Sequence, residues 1–514
     1  MTAVDRQLPG VDGAPDATER VDPRPAAGRL PLGWVWPLLA IGAGAGAGAV
    51  VAPLPTVLLL VVALLVASAL LAPRLTAGIA VLVILFARPL EHLVPVPAVS
   101  YVDEGAVVLC VLTLPVRRLV TRQPLRTFPG QWWFTAFLVI GLLSSLVAQV
   151  PPWIFLTGGF LMSKGLLLAW AVAQLDWTER HLRAVARAGT ALILVCLAAM
   201  LVNLAVPDAW NAVLASDLRA VEPRSILPSL IGPFPHPIDL GQFMALSAIA
   251  VAAWRVALGR TAFTLGLLLA TAAGALLTGR RTAVTSVAAA WLWLQTVLRS
   301  TRVLIALGAA LPLAVLLLAG PVAEVARATY QDYVANTTPE ARTVLTVDSF
   351  SVAGEHFPAG AGFGRFGSAV AAENYSPEYV ARGYPNIWGL GRTAEDGSFL
   401  TDTEWPAILG ETGYFGVAAF ACGLFAIYRA GRRLYRDAVA PLPRWAGLTL
   451  AGWVMVMLVG SVATVTFTGP PVSGAFFAMA GVVTALADGT GAGGHSRSTP
   501  GAASRFRVSR TFSP

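Results

Sequence analysis

The sequence predicts an all-α, polytopic integral membrane protein, and three observations carry that expectation. Of the 514 residues, 56% are hydrophobic and only 12% charged, with a mean hydropathy of +0.69. The apolar residues gather in runs close to the ~20 that cross a hydrocarbon core of ~30 Å. The basic residues fall between the runs instead of forming one patch, so the net charge of +8 speaks for membrane topology and against nucleic-acid binding.

In chain order, residues 1–30 are rich in Pro, Asp, Gly, Ala and Arg and contain no apolar stretch, which predicts a disordered tail. Apolar runs follow near 32–52, 54–72, 76–93, 104–120, 132–150, 154–175, 189–206, 238–257, 262–279, 282–298, 302–320, 404–428, 445–467 and 471–487. That gives 12–14 transmembrane helices, with a large loop before the last three. The alternating Gly-Ala run at 42–49 reads as a close helix-packing face. The membrane domain ends near 487, and 488–514 is a second Gly-, Ser- and Arg-rich tail.

The arginines fix orientation. The clusters are Arg117, Arg118, Arg122 and Arg126; Arg180, Arg183 and Arg187; Arg255 and Arg260; Arg299 and Arg302; and Arg429, Arg432, Arg433 and Arg436. Counting helices between them puts every cluster, and both tails, on the cytoplasmic side. The loops 207–237 and 321–398 then lie outside, and so does the short turn carrying Arg280 and Arg281. The aromatic content of 321–398, including Phe357, Phe363, Phe366, Tyr375 and Trp388, favours a folded cap over disorder.

Three cysteines, Cys110, Cys196 and Cys422, lie inside apolar runs and read as small packing residues. No Cys/His spacing suggests a metal, and no fingerprint suggests a nucleotide cofactor. Gly360-Ala-Gly-Phe-Gly364 resembles a phosphate cradle only superficially, because no strand precedes it.

Four constellations could carry chemistry. Leu277-Thr-Gly-Arg-Arg-Thr-Ala-Val284 sets Arg280 and Arg281 at the outer end of a helix, where two guanidinium forks can clamp a phosphate or diphosphate. The alternative is that they snorkel to headgroups, but they stand on the side where arginine is under-represented. Arg224 through Gly241 brings Arg224, His236 and Asp239 to a membrane entry, and a lone histidine between prolines reads first as structural. In the outer loop, Arg342 and Arg365 are candidates for an anionic substrate. The segment from Phe399 opens the next helix with Asp402, Glu404 and Glu411, and carboxylates at a membrane edge are expensive to hold there.

Asp402 has two readings. Ahead of Pro406, Asp402 or Thr403 suits a helix cap, and a carboxylate there is stabilised by the dipole; the functional reading makes Asp402 a general base beside arginines. The second role needs its pKa raised toward the working pH, whereas arginines lower it. Glu411, nine residues on, faces roughly the opposite way, so the two are not an acid–base pair. Glu411 is expected to hydrogen-bond to a neighbouring helix or to the outer loop.

Taken in order, these motifs resemble the O-antigen ligase and polysaccharide polymerase superfamily of bacterial membranes. They are Gly232-Pro-Phe-Pro-His-Pro-Ile-Asp-Leu-Gly241, Leu277 through Ala283, Arg342 through Phe366 with its glycine turn, and Asp402 through Gly416. The resemblance covers roughly residues 220–430. It implies glycosyl transfer from a polyprenyl-diphosphate-linked glycan to a glycan or lipid acceptor, on the outer face of the cytoplasmic membrane, without metal or cofactor. It also implies contact with membrane lipid and with other polysaccharide-assembly membrane proteins. Arg281 matches the arginine of the second motif, and Arg224 and Arg342 match looser arginine positions. Where the ligase branch has a His-Asn pair, this chain has Asp402 and Thr403, as in Asp-starting variants among exopolysaccharide polymerases. The resemblance thus makes Asp402 and Arg281 catalytic, with Arg280, Arg224, Arg342, His236, Arg365 and Glu411 binding substrate. The competing classes are a transporter or flippase of lipid-linked oligosaccharide, and a non-catalytic assembly protein whose arginines recognise headgroups.

Overall fold

A computed structural model of the chain describes residues 53–222, 228–298, 341–393 and 396–492, which are helical with no strand among them. The chain divides into two units, 1–65 and 66–514. The first holds the start of α1 (Pro53–Leu71). The second holds the remaining helices and the candidate site. The expected spans 32–52 and 302–320, the tail 1–30, residues 493–514 and Arg224 lie outside the described residues.

The second unit begins with α2 (Pro73–Leu85) and α3 (Ala87–Leu93), which bend by 59° at their junction. The run 76–93 is therefore not one straight span. Pro89 has no N–H to continue the ladder across the junction, a usual cause of a kink. Next come α4 (Val102–Thr113), α5 (Gln131–Val147), α6 (Pro152–Ala173) and α7 (Glu179–Ala205). They are followed by α8 (Pro237–Ala257), α9 (Ala262–Leu277), α10 (Arg281–Val297), α11 (Ala341–Glu355), α12 (Glu404–Asp437), α13 (Pro441–Gly460) and α14 (Ser473–Ala492). Proline at the first helical turn starts α6, α8 and α13, where its missing N–H costs nothing.

Among the described residues six helices are long and apolar enough to cross a membrane: Val99–Val120, Pro152–Ala173, Glu179–Ala205, Pro237–Ala257, Glu404–Asp437 and Pro441–Gly460. The bent pair α2 and α3 makes a seventh if it is one span. Several runs expected to span form shorter apolar helices, such as Gln131–Val147 and Ala262–Leu277. At 1.5 Å per residue these reach only about 24–26 Å.

Burial and hydropathy run in opposite directions. The most apolar window, in α7, has a hydropathy of 2.3 and is only 22% buried, whereas α8 and α13, at 1.4, are 72% buried. Leu194, Val195 and Leu201 are among the side chains α7 leaves exposed. Water would penalise such a surface by roughly 25 cal/mol per Å², and lipid does not. The arrangement is that of a multi-pass membrane protein.

In the interior, α12 packs on α13, α5 and α11, while α8 packs on α9, α10 and α13. Helices α12 and α13 cross at Gly431 and Gly447; a Cβ on Gly431 would lie 2.7 Å from the Gly447 carbonyl oxygen, so only glycine permits this approach. A chain of edge-to-face rings, Phe134–Phe420–Phe467–Phe476, with centroids 5.5–5.9 Å apart, ties α5, α12 and α14 together. Of the cysteines, Cys110 and Cys196 are buried as expected, but Cys422 is exposed, because it lies on the outward stripe of α12 with Tyr414, Phe415 and Phe425. Arg118 and Arg126, read from sequence as topology markers, also bond the carbonyls of Ala173, Gln174 and Leu175 at the end of α6, and both pair with Asp176.

Residues 341–393 and 396–400 fold as α11, two one-turn helices and tight turns around a core of their own, with Leu345, Val352, Phe366, Tyr379, Tyr384 and Leu390 buried together. Glu378 links His356 at 3.1 Å and Arg382, and Arg382 also reaches Glu355 at 2.6 Å.

Candidate functional site

The site grows out of a break in α12. At Gly413 the backbone leaves the helix (φ 67°, ψ −172°), which frees carbonyls of the preceding turn. The glycine turn 360–364 takes them: Ala361 donates to the Gly410 carbonyl at 2.8 Å and Gly362 to that of Glu411 at 3.0 Å. Ser144 and Ser145 of α5 accept from Gly360 at 3.1 Å and from Phe363 at 2.8 Å. Gly362 sits at φ +92° with the Ser145 Cα 2.6 Å from where its Cβ would be, so no other residue fits.

The carboxylate of Glu411 closes this seam. Its Oε1 accepts from the backbone of Gly364 at 2.9 Å and of Phe366 at 3.3 Å, and from the Ser368 hydroxyl. Glu411 is fully buried and does not line the cavity described below. It holds the loop, as one sequence expectation had it, and no surface remains through which it could touch substrate. The turn resembling a phosphate cradle is therefore filled by a carboxylate of the chain itself.

Asp402 precedes α12. The helix begins at Glu404 with Thr403 as its N-cap and no side-chain capping bond, so Asp402 is not the cap. Its Oδ2 instead takes both Nε and Nη2 of Arg342 from α11, which leaves Oδ1 outside the ion pair. Phe399 stacks against the same guanidinium, 5.4 Å from ring centroid to Cζ. Burial pushes the Asp402 carboxyl above the usual carboxylate range; Arg342 and then Arg280 pull it back without reversing the shift. Desolvation thus wins the conflict that the sequence left between a base and its arginines.

Asp402 lines a cavity of about 320 Å³. The N-terminal ends of α8 and α12 border it, and such ends favour anions. Arg88, at the start of α3, lines it and pairs with Asp239 at 2.6 Å. So does Lys164 of α6, bonded to Asp103 at 2.6 Å and Glu104 at 2.9 Å. Glu404 borders the cavity too, but its oxygens bind the backbone of Thr466 and Phe467 and the hydroxyl of Thr468. His236 lines the cavity and caps α8, its Nδ1 accepting from Ile238 at 3.1 Å. This is the structural role the sequence favoured for it.

The arginines of the second motif separate. Arg280 is buried, bonds the Ala220 carbonyl and acts electrostatically on Asp402; Arg281 is exposed at the first position of α10. Arg365 is half-buried on the turn that Glu411 holds and does not line the cavity. The structure thus gathers Asp402, Arg342, Arg280 and His236, and leaves Glu411 and Arg365 in the seam. It places Asp239, which the sequence set beside His236 at a membrane entry, on the same cavity, and adds Arg88 and Lys164. Lys164 is the only lysine in the chain and lies inside an apolar run, and an ionisable residue in that setting is itself a signal. Among the described residues no three His, Cys, Asp or Glu side chains gather as a metal cage requires. No protein-family model matches the chain, and no curated protein matches it.

Proposed function

We propose that the protein transfers glycosyl groups from a polyprenyl-diphosphate-linked glycan to an acceptor on the outer face of the cytoplasmic membrane, as a polysaccharide polymerase or ligase. The observation that carries the reading is the placement of Asp402: it stands on the wall of a cavity with its Oδ2 paired to Arg342, and burial there pushes its carboxyl above the usual range against the pull of Arg342 and Arg280. In this reading the acceptor hydroxyl attacks the anomeric carbon, its proton passes to Oδ1 of Asp402, and the lipid diphosphate leaves. A diphosphate is already a good leaving group, so the protein needs mainly to position the acceptor and neutralise charge. Arg280 and Arg281 serve the diphosphate; Arg224 and Arg365 are further anion contacts implied by the resemblance. Both termini lie in the cytoplasm, and the reaction needs neither metal nor cofactor.

The test is reconstitution in lipid vesicles with a polyprenyl-diphosphate oligosaccharide, read for longer glycans and freed lipid diphosphate. A product ladder with lipid release supports the reading; neither product, across several repeat units and acceptors, overturns it. A transporter of lipid-linked oligosaccharide is the second reading. It is favoured by the bend between α2 and α3 and by the buried Lys164–Asp103–Glu104 ion group, since broken helices and intramembrane charges mark transport paths. Movement of intact donor between leaflets without chemistry would establish it.

A further inference from the structure

We infer that Asp239 forms a second ligand position in the cavity, and that it takes a hydroxyl of the acceptor sugar. The inference deepens the glycosyl-transfer reading and rests on it for the identity of the ligand. Asp239 is 1% exposed, in the first turn of α8, and belongs to the cavity wall. Its Oδ1 is held by Arg88 at 2.6 Å, across 151 residues of sequence. Its Oδ2 is buried and has no hydrogen-bond partner among the described residues. A buried carboxylate oxygen left in that state is costly, by more than the usual penalty for a neutral polar atom.

The neighbouring polar groups do not meet the need. The Ser368 hydroxyl is committed to Glu411 and that of Thr468 to Glu404, while Gln242 reaches Thr464 at 3.4 Å. None of these groups is hydrogen-bonded to Oδ2, and a molecule entering the cavity can supply the partner.

The chemistry of that partner is constrained. Phosphate oxygens are acceptors and anionic, so they suit Arg88 and Lys164 but not a carboxylate oxygen. A hydroxyl both donates and accepts, and satisfies Oδ2 in either protonation state. A volume near the lower end of the ~300–1,000 Å³ range for small-molecule sites admits one sugar unit at the end of a glycan, not a long segment. Because Asp402 shares the wall, a sugar hydrogen-bonded at Asp239 lies in the same cavity as the proposed base.

The experiment pairs a binding assay with kinetics. Thermal stabilisation of the purified full-length protein is measured with a panel of methyl glycosides and, separately, with inorganic pyrophosphate. The wild type and Asp239→Asn are compared, with Asp239→Glu keeping the carboxylate. At least one glycoside should stabilise the wild type and fail to stabilise Asp239→Asn, while pyrophosphate stabilises both, which also reports that the variant is folded. Asp239→Glu should recover part of the response. In the vesicle assay the acceptor KM of Asp239→Asn should rise about tenfold or more, with the donor KM unchanged. An unaltered acceptor KM, or a glycoside response that survives in Asp239→Asn, overturns the inference and leaves the glycosyl-transfer reading standing. No glycoside acting on the wild type also overturns it. Glycosides that bind through Asp239 to a protein that forms no glycan from any donor support the hydroxyl position and overturn the transfer reading instead.

Discussion

Asp402 and Glu411 stand nine residues apart in one stretch of chain, and their surroundings give them opposite work. Asp402 keeps one oxygen outside its pairing with Arg342 and borders a cavity. Glu411 is sealed, and one of its oxygens is spent on two backbone amides and a serine hydroxyl of the loop it secures. Both are carboxylates near the start of a membrane helix, Asp402 half-buried and Glu411 fully buried, and residue type and position along the chain do not separate them. Access separates them. The sealed carboxylate braces the seam by holding Gly364, Phe366 and Ser368, in the same folded segment whose Arg342 pairs with the accessible one.

That contrast can be broken in several ways. The largest expected effect is on folding. Glu411→Ala orphans three donors at ~1–3 kcal/mol each, so a loss of roughly 3 kcal/mol or more should appear as a collapse of folded yield in size-exclusion chromatography. Glu411→Gln retains an acceptor oxygen and should lose less. Normal yield from Glu411→Ala would remove the bracing role.

Next come the adjacent arginines. Arg280 is buried beside Asp402 and Arg281 is exposed, so Arg280→Ala should reduce turnover by at least about tenfold more than Arg281→Ala, the scale of one charge-assisted hydrogen bond. The resemblance assigns the motif's role to Arg281, and the reverse order in the vesicle assay would favour it.

The smallest effect is the most diagnostic. The pKa of Asp402 lies above its ordinary value of 3.8, and Arg342 acts to lower it. If Asp402 is the base, activity falls as pH drops through that raised pKa. Arg342→Gln removes a lowering influence, so the acid limb of the pH–rate profile should move to higher pH. A limb that stays in place, or moves down, would detach the profile from Asp402. The same sign governs stability. The raised pKa means that folding is favoured while Asp402 is protonated, and this contribution is lost as pH rises through the folded-state pKa. Near neutral pH, Asp402→Asn should therefore not weaken the fold through loss of that charge.

Much of this was legible in the sequence. Composition and run length were enough for the all-helical membrane class, and Asp402, Arg342, Arg280 and His236 could each be named, because each sits where a polar residue is out of place. The count of spans was less legible. Hydropathy marks an apolar run but not the kink at Pro89, nor where a helix such as Gln131–Val147 stops short. Arg88–Asp239 and Lys164–Asp103 were illegible as pairs, because 151 and 61 residues separate the partners and a single sequence carries no register between helices. Glu411 could not be placed from spacing alone: helical periodicity said that it faced away from Asp402, but not that a glycine turn would wrap its carboxylate.

The most direct test of the central claim is turnover and thermal stability of Asp402→Asn, measured together in the reconstituted vesicle system. Turnover should fall by about 10²–10⁴, the range for a lost general base, with the melting temperature held near that of the wild type. Wild-type turnover in a folded Asp402→Asn protein would contradict the account and return Asp402 to a structural partner of Arg342.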